Sequence, residues 1–375
     1  MTLAVIAPQP LETIKDYVIK AFEDIPNRQV RKPEEAWKGL IAPFSGQSII
    51  PSRGYIVEMV PVSDLRQVSI SWPITYSSNL DERETKLMKP DYYVSHLIGH
   101  EGENSLLSLL KKKGLANSVG SSSGTDLSDF NTMDVTIELT NKGLSQIDVV
   151  VESVFSYIRM LTTTPVPDYI FDECLNLSEL EWRYLTKSDP SKYVTTLATS
   201  LQDYDPPLAI AGVARLALSE PRSNFFSDKQ RDDTKAATLK LIENLTVDNA
   251  MFTVISKTFN GKTDKYKTDY RAREVSSKLK AKWSNPMVGR AEISYPVPNK
   301  FIPSEEGLRV KLPVQLDDVP MTFEERMKPI SPPAIIRNDE RWKAYFKQDD
   351  FENPLDAVYS TLYEVSHASK NMRSK

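Results

Sequence analysis

A single cysteine, three histidines and thirteen glycines are all that 375 residues contain of these types. Each scarcity excludes something. One cysteine, Cys174, cannot close an intrachain disulfide, which favours a reducing compartment and a cytoplasmic location. It lies in a helical-looking stretch, Phe171 to Leu185, where a buried, inert thiol is expected. No run of about 18 apolar residues occurs, so no membrane span is expected. There is no excess of positive charge either. The net charge is -4, which argues against nucleic acid as a partner, because phosphate binding needs a basic surface. Gly-rich phosphate loops, paired-cysteine sites and a Ser–His–Asp order are not found.

What is present is an ordinary globular balance, with 40% hydrophobic residues to build a core. Thr2–Ala7 reads as a short buried strand, with none of the features of a secretory leader. Leu11, Ile14, Val18, Phe22 and Ile25 then recur at helical spacing. Residues 26 to about 60 read as a linker with some short strand. Val68, Ile70 and Trp72 alternate with serines, and Met133, Val135, Ile137 and Leu139 alternate with polar residues, so both stretches predict strands. Residues 91–113 predict two short helices broken near Gly102. Ile147 to Leu161 carries a helical stripe that Pro165 and Pro167 end, and another helix is expected from Asp168. Helical patterns run through 206–245, and Met251–Ser256 predicts a strand. The segment Ala250–Lys257 echoes Met1–Pro8, as though one strand–loop–helix element occurred twice. Residues 286–335 are proline-rich and extended in character, and structure is expected again from Trp342.

Two of the three histidines stand together in His96-Leu97-Ile98-Gly99-His100, followed by Glu101, Gly102 and Glu103; the third, His367, has no visible ligand partner. A spacing of four puts two imidazoles on one helix face, where they can share a metal. A catalytic zinc needs about three protein ligands and a general base. In the H-x-x-E-H pattern the base stands between the histidines, and here Gly99 takes that place. Glycine can neither bind a metal nor take a proton. The pattern is therefore a degenerate metal motif at His96, Gly99 and His100, with neither a metal site nor a catalytic residue expected in the chain.

The stretch from Tyr92 to Gly120, which contains HLIGHEGENSLLSLLKKKGLANSVG, resembles the second, non-catalytic domain of the insulinase family of zinc metallopeptidases. So do Asp134–Leu139, Asn260-Gly261-Lys262-Thr263-Asp264 and Phe346-Lys347-Gln348-Asp349-Asp350, in the same order. The resemblance implies an α+β fold. Its architecture would be a two-layer α/β sandwich of the insulinase/LuxS-like metallohydrolase type, with a mixed or antiparallel sheet and helices on one face. It also implies a division of the chain. Residues 1–27 would be the last strand and helix of a catalytic-type domain, and 28–60 a linker. Residues 61–283 would be a complete non-catalytic domain, 284–340 a proline-rich linker, and 341–375 the start of a third domain. The zinc of the full-length family enzyme would be bound outside this chain, which alone would be inactive.

What the resemblance does carry over is peptide binding. In the family the second domain offers an exosite at which the N-terminal end of a peptide adds to a sheet edge. The matching segments are His100-Glu101-Gly102-Glu103 and Val119-Gly120-Ser121-Ser122. An exposed edge recruits an extended chain through main-chain hydrogen bonds, and small residues allow close approach. From the residues alone, 119–122 read as an ordinary Gly/Ser turn between helix and strand sooner than as a binding edge, and it is the resemblance that reverses the order. The implied partners are a peptide substrate and the remaining domains of the same peptidase or a catalytic partner chain. The alternative is a stand-alone pseudo-peptidase subunit that acts as a peptide-binding or docking module.

Overall fold

The two clean alternations of the sequence pair with each other. Strands β2 (Gln67–Thr75) and β4 (Phe130–Leu139) run antiparallel, with Val68 opposite Ile137, Ile70 opposite Val135 and Trp72 opposite Met133. All six side chains are buried, whereas the intervening Ser69, Ser71, Asp134 and Thr136 are half-exposed. A period of two on both strands therefore assigns one face of the sheet to the core.

In the computed structural model the described residues are 2–26, 28–31, 53–75, 88–126, 130–183, 185–186, 188–204, 206–211, 216, 228–263, 267–302, 334–338, 343–346 and 363–364. His367, Asp264, residues 347–350 and most of the two expected linkers lie outside them. The chain divides into two units, residues 1–178 with 194–299 and residues 179–193 with 300–375.

The first unit holds a seven-stranded mixed sheet in the order β3-β4-β2-β5-β1-β7-β6. Its other strands are β1 (Tyr55–Met59), β3 (Ala116–Asp126), β5 (Met251–Ile255), β6 (Lys262–Thr263) and β7 (Asp269–Glu274). Only the β1–β5 pairing is parallel; the others are antiparallel. β1 is the short strand expected before residue 60. It sits inside the sheet, and its buried Glu58 is held by Arg271 and by Arg273 at 3.1 Å, both on β7.

Helices α2 (Pro90–Ile98), α3 (Leu106–Lys112), α5 (Ile147–Thr163) and α6 (Asp168–Arg183) bury their apolar stripes in the same core as the inward strand residues. Phe155 of α5 meets Trp72 of β2 edge-on, with ring centroids 6.0 Å apart. The fold is α+β, with a mixed sheet and the helical layer on its apolar face, as the resemblance implies. Other helices are α1 (Leu11–Phe22), α4 (Asn141–Ser145), α7 (Pro190–Asp203), α8 (Pro206–Ala211), α9 (Asp228–Asn244) and α10 (Ser277–Ser284). No described helix is long and apolar enough to cross a membrane. Cys174 on α6 is fully buried, and burial pushes its thiol up to about 12. The second unit contains the antiparallel strands β8 (Ala334–Asn338), β9 (Lys343–Phe346) and β10 (Tyr363–Glu364).

One expectation fails. Thr2–Ala7 form no strand, and Leu3, Val5 and Ile6 are 45%, 46% and 50% exposed. A strand exists only through its ladder, and no described strand lies beside this segment. Thr2 instead donates its hydroxyl to the Ala198 carbonyl of α7 at 2.7 Å. The echo with Ala250–Lys257 is therefore one of sequence, because only Met251–Ile255 enters a sheet.

Candidate functional site

Helix α2 starts with Pro90 at its first turn, where a missing N–H costs nothing. Pro90, Tyr93, Val94, Leu97 and Ile98 form its buried face. Tyr92, Ser95 and His96 fall on the half-exposed side. The helix ends at Ile98 with Gly99 as its cap, so His100 and Glu101 belong to the following loop, not to the helix face expected from the spacing.

The loop leads into α3, which Ser105 caps by accepting the Ser108 N–H at 3.1 Å. The end of α3 is fixed by Gly114 in the left-handed region, with φ +69°. Gly114 donates to the Lys111 carbonyl and Leu115 to that of Leu110, both at 2.9 Å, which closes a Schellman turn. That turn sends the chain directly into β3. The Ser/Gly stretch that from the residues alone reads as a turn is thus part of an eleven-residue strand. β3 is the outermost strand of its sheet, with Val119 opposite Ile137, Gly120 opposite Thr136 and Ser121 opposite Val135.

Between the end of α2 and β3 lies a cleft of about 540 Å³, lined by Tyr92, Ser95, His96, Gly99, His100, Glu101, Val119, Gly120 and Ser121. Five of the eight expected binding residues come together there: His100, Glu101, Val119, Gly120 and Ser121. Gly102, Glu103 and Ser122 are exposed and outside the lining. Ser121 Oγ is buried and has no hydrogen-bond partner among the described residues. Tyr92, Ser95, His96 and Gly99 complete the lining without being among the expected binding residues, although His96 and Gly99 belong to the degenerate metal motif and Tyr92 and Ser95 lie four residues before them. No sequence signal points to Glu173. It lies on α6, and its charge acts on both histidines.

The two imidazoles meet edge-on, with centroids 6.1 Å apart. Burial lowers the pKa of His96 below the usual histidine value, His100 adds to this, and Glu173 opposes it. Burial also lowers that of His100, against the pull of Glu173 and Glu101. His100 Nδ1 accepts the Gly102 N–H at 3.0 Å, so the proton of the neutral ring is on Nε2. Among the described residues no three of His, Cys, Asp and Glu come together to hold a metal ion. A side chain at position 99 would begin 2.9 Å from the Ser95 carbonyl oxygen, closer than real contacts allow. The arrangement therefore does not fit a zinc ion. It offers a small-residue edge, a ring N–H, a free hydroxyl and nearby carboxylates.

Comparison with known proteins gives a consistent answer. A profile described as "Peptidase M16 inactive domain" matches residues 1–177, and one described as "Middle or third domain of peptidase_M16" matches residues 182–374. The boundary falls inside α6, yet β5, β6 and β7 from the second match complete the sheet begun in the first. The chain is 28% identical over 359 residues to the insulin-degrading enzyme of Drosophila melanogaster, covering 94% of this chain and 32% of the relative. It is 29% identical over 375 residues to the A-factor-processing enzyme of Saccharomyces cerevisiae, covering 98% and 32%. It thus spans about a third of the length of these curated relatives. The crystal structure of pitrilysin shares the fold, with a TM-score of 0.68 at 19% identity, covering 92% of this chain and 33% of that one. The chain belongs to the peptidase M16, or insulinase, family, and carries its inactive domain together with its middle or third domain.

Proposed function

We propose that this chain is the non-catalytic portion of an insulinase-type zinc endopeptidase, and that it captures peptide substrate at the β3 edge and forms part of the chamber wall. The observation that carries the reading is the edge position of β3 directly beside the α2 cleft. A peptide laid along β3 would gain main-chain hydrogen bonds from an edge that no other strand among the described residues covers. Its free α-amino group would meet the negative end of α2, near the carboxylates of Glu101 and Glu173. The expected site residues remain His100, Glu101, Gly102, Glu103, Val119, Gly120, Ser121 and Ser122. Zinc and its ligands would be supplied by other domains of the full enzyme, with the boundaries at 1–27, 28–60, 61–283, 284–340 and 341–375 marking the pieces. The single buried cysteine favours a cytoplasmic setting.

The test is fluorescence anisotropy with a labelled ten-residue peptide carrying a free N-terminus, together with a cleavage assay with and without chelator. Wild-type chain is expected to bind without turnover. Gly120→Val is the blocking variant. The nearest atom to a Cβ at that position is the Thr136 carbonyl oxygen at 4.0 Å, so the strand accepts the side chain while the cleft narrows. A drop in affinity of about tenfold or more (about 1.4 kcal/mol), with an unchanged melting temperature, is expected. Equal affinity in the two proteins would remove the cleft from peptide capture. Chelator-sensitive turnover by the chain would overturn its non-catalytic assignment.

A further inference from the structure

Asn260-Gly261 is the one Asn-Gly pair in the sequence, and it lies in the stretch that joins β5 to β6. The chain is anchored on both sides of it. Before the pair, Ser256 holds a turn. Its Oγ accepts the Thr258 N–H at 3.1 Å, its carbonyl accepts the Phe259 N–H at 3.3 Å, and Phe259 packs against the core. After the pair, Lys262 and Thr263 form β6 opposite Tyr270 and Asp269 of β7. Asn260 and Gly261 are exposed between these anchors, and no described residue bonds the Asn260 side chain. The fold demands glycine at 261, because a Cβ there would run into the main chain of Tyr270. The nitrogen that follows Asn260 is thus never shielded by a side chain of its own residue. The two Asn-Ser pairs are held more firmly. The Ser105 N–H donates to the Gly102 carbonyl at 3.2 Å, and the Asn104 carbonyl accepts the Ser294 N–H at 3.1 Å. Asn117 Nδ2 donates to Glu138 at 3.3 Å, and Ser118 lies within β3.

We propose that Asn260 is a site of spontaneous deamidation and main-chain isomerisation, a slow covalent clock at the β6 edge of the sheet. The Gly261 nitrogen gives its proton to solvent hydroxide and attacks Asn260 Cγ. A C–N bond forms, the Cγ–Nδ2 bond breaks, and ammonia leaves a five-membered succinimide. Water then opens the ring. Opening at Cγ gives aspartate, whereas opening at the α-carbonyl gives isoaspartate, whose main chain runs through Cβ and is one carbon longer. One water is taken up and one ammonia released, with no change of oxidation state. Either product places a negative charge two residues before Lys262. Only isoaspartate lengthens the main chain, and a ladder cannot absorb an added atom without losing its register. β6 is the outermost strand at the end opposite β3 and is two residues long, so it yields most readily. Its departure uncovers the β7 edge.

The full chain, aged in mildly alkaline buffer, tests this by peptide mass mapping, with isoaspartate marked by enzymatic carboxyl methylation. Residue 260 is expected to convert at least about tenfold faster than residues 104 and 117, and within about fivefold of its own rate in urea. Asn260→Gln, whose ring closure is slower, is expected to lose the methylation signal. Conversion at 104 or 117 as fast as at 260 overturns the assignment. So does a folded rate at 260 that falls short of the rate in urea by more than that fivefold margin, because the fold would then shield the pair. Asn260→Asp carries the charge without the added carbon and separates the two consequences. Amide exchange at 269 and 270 is expected to quicken in the aged chain and to stay at the unaged rate in Asn260→Asp. Quickening in both, or in neither, overturns the displacement of β6.

Discussion

The Tyr157 hydroxyl donates a 3.0 Å hydrogen bond to the carbonyl of Leu97, joining the middle of α5 to the last turn of α2. Both residues are fully buried. Along its own segment the Leu97 carbonyl is met only by the Gly99 N–H and, at 3.4 Å, by the His100 N–H, because the helix stops one residue later. The bond therefore fixes the helix end that carries the cleft. Tyr157→Phe is expected to cost about 1–2 kcal/mol, the usual loss when a buried acceptor gives up its donor. Urea unfolding with an unchanged m-value would check it, and an unchanged midpoint would mean that water replaces the hydroxyl.

A second anchor sits in the first half of α5. Glu152 is buried, and its carboxylate accepts the backbone N–H of Met287 at 3.0 Å while pairing with Lys282 of α10 at 3.0 Å. Glu152→Ala orphans the Met287 amide and leaves Lys282 with Asp148 at 3.0 Å as its carboxylate. A loss of roughly 1–3 kcal/mol is expected. Chemical denaturation would measure it, and a change under 0.5 kcal/mol, the ordinary range for a surface substitution of about that size, would show that the loop does not depend on this carboxylate.

Gly99→Glu rewrites the sequence as H-x-x-E-H, yet no zinc site is expected to return. The new Cβ would press on the Ser95 carbonyl at 2.9 Å and approach Ser121 Cβ at 3.8 Å, and His100 is committed to Gly102. Metal analysis after dialysis against zinc should give far less than one ion per chain, with a lowered melting temperature. One tightly held zinc per chain would refute the geometric argument.

Acid should weaken the fold through the histidine pair. Both His96 and His100 have pKa values lowered in the folded state, so the unfolded chain binds protons first as pH falls. Their contribution is complete above about pH 6.5, the ordinary histidine value, and is lost as pH drops through the lower folded values. Thermal melts at pH 7.5 and 5.5 should show a fall that shrinks in His96→Asn/His100→Asn. An identical fall in that variant would assign the acid sensitivity elsewhere.

Legibility in the sequence followed periodicity. The stripe of Val150, Val151, Val154, Phe155, Ile158 and Leu161 and the alternation of Met133 to Leu139 are buried as read, because their apolar pattern and their burial are the same fact. β3 had no such pattern. Ala116 and Val119 are buried amid serines and glycines but lie three residues apart, off the alternation of a strand, and only pairing with β4 makes the stretch one. Thr2–Ala7 shows the reverse case, with a strand-like pattern and no ladder. His100 was read on a helix face, but the helix had already ended at Ile98.

The amino-acid sequence by itself determined the family, the α+β class, the chemistry that Gly99 rules out and the two segments that frame the cleft, because these depend on residue identity and local spacing. The tertiary structure decided what depends on contacts far apart along the chain. Parallel pairing brings β1 beside β5, with Ile56 against Phe252, and packing of α6 carries Glu173 to the histidines. The edge position of β3 is of the same kind. Whether a strand's outer hydrogen bonds are free is settled by which other strand lies beside it, and a single stretch of sequence holds no record of its neighbours.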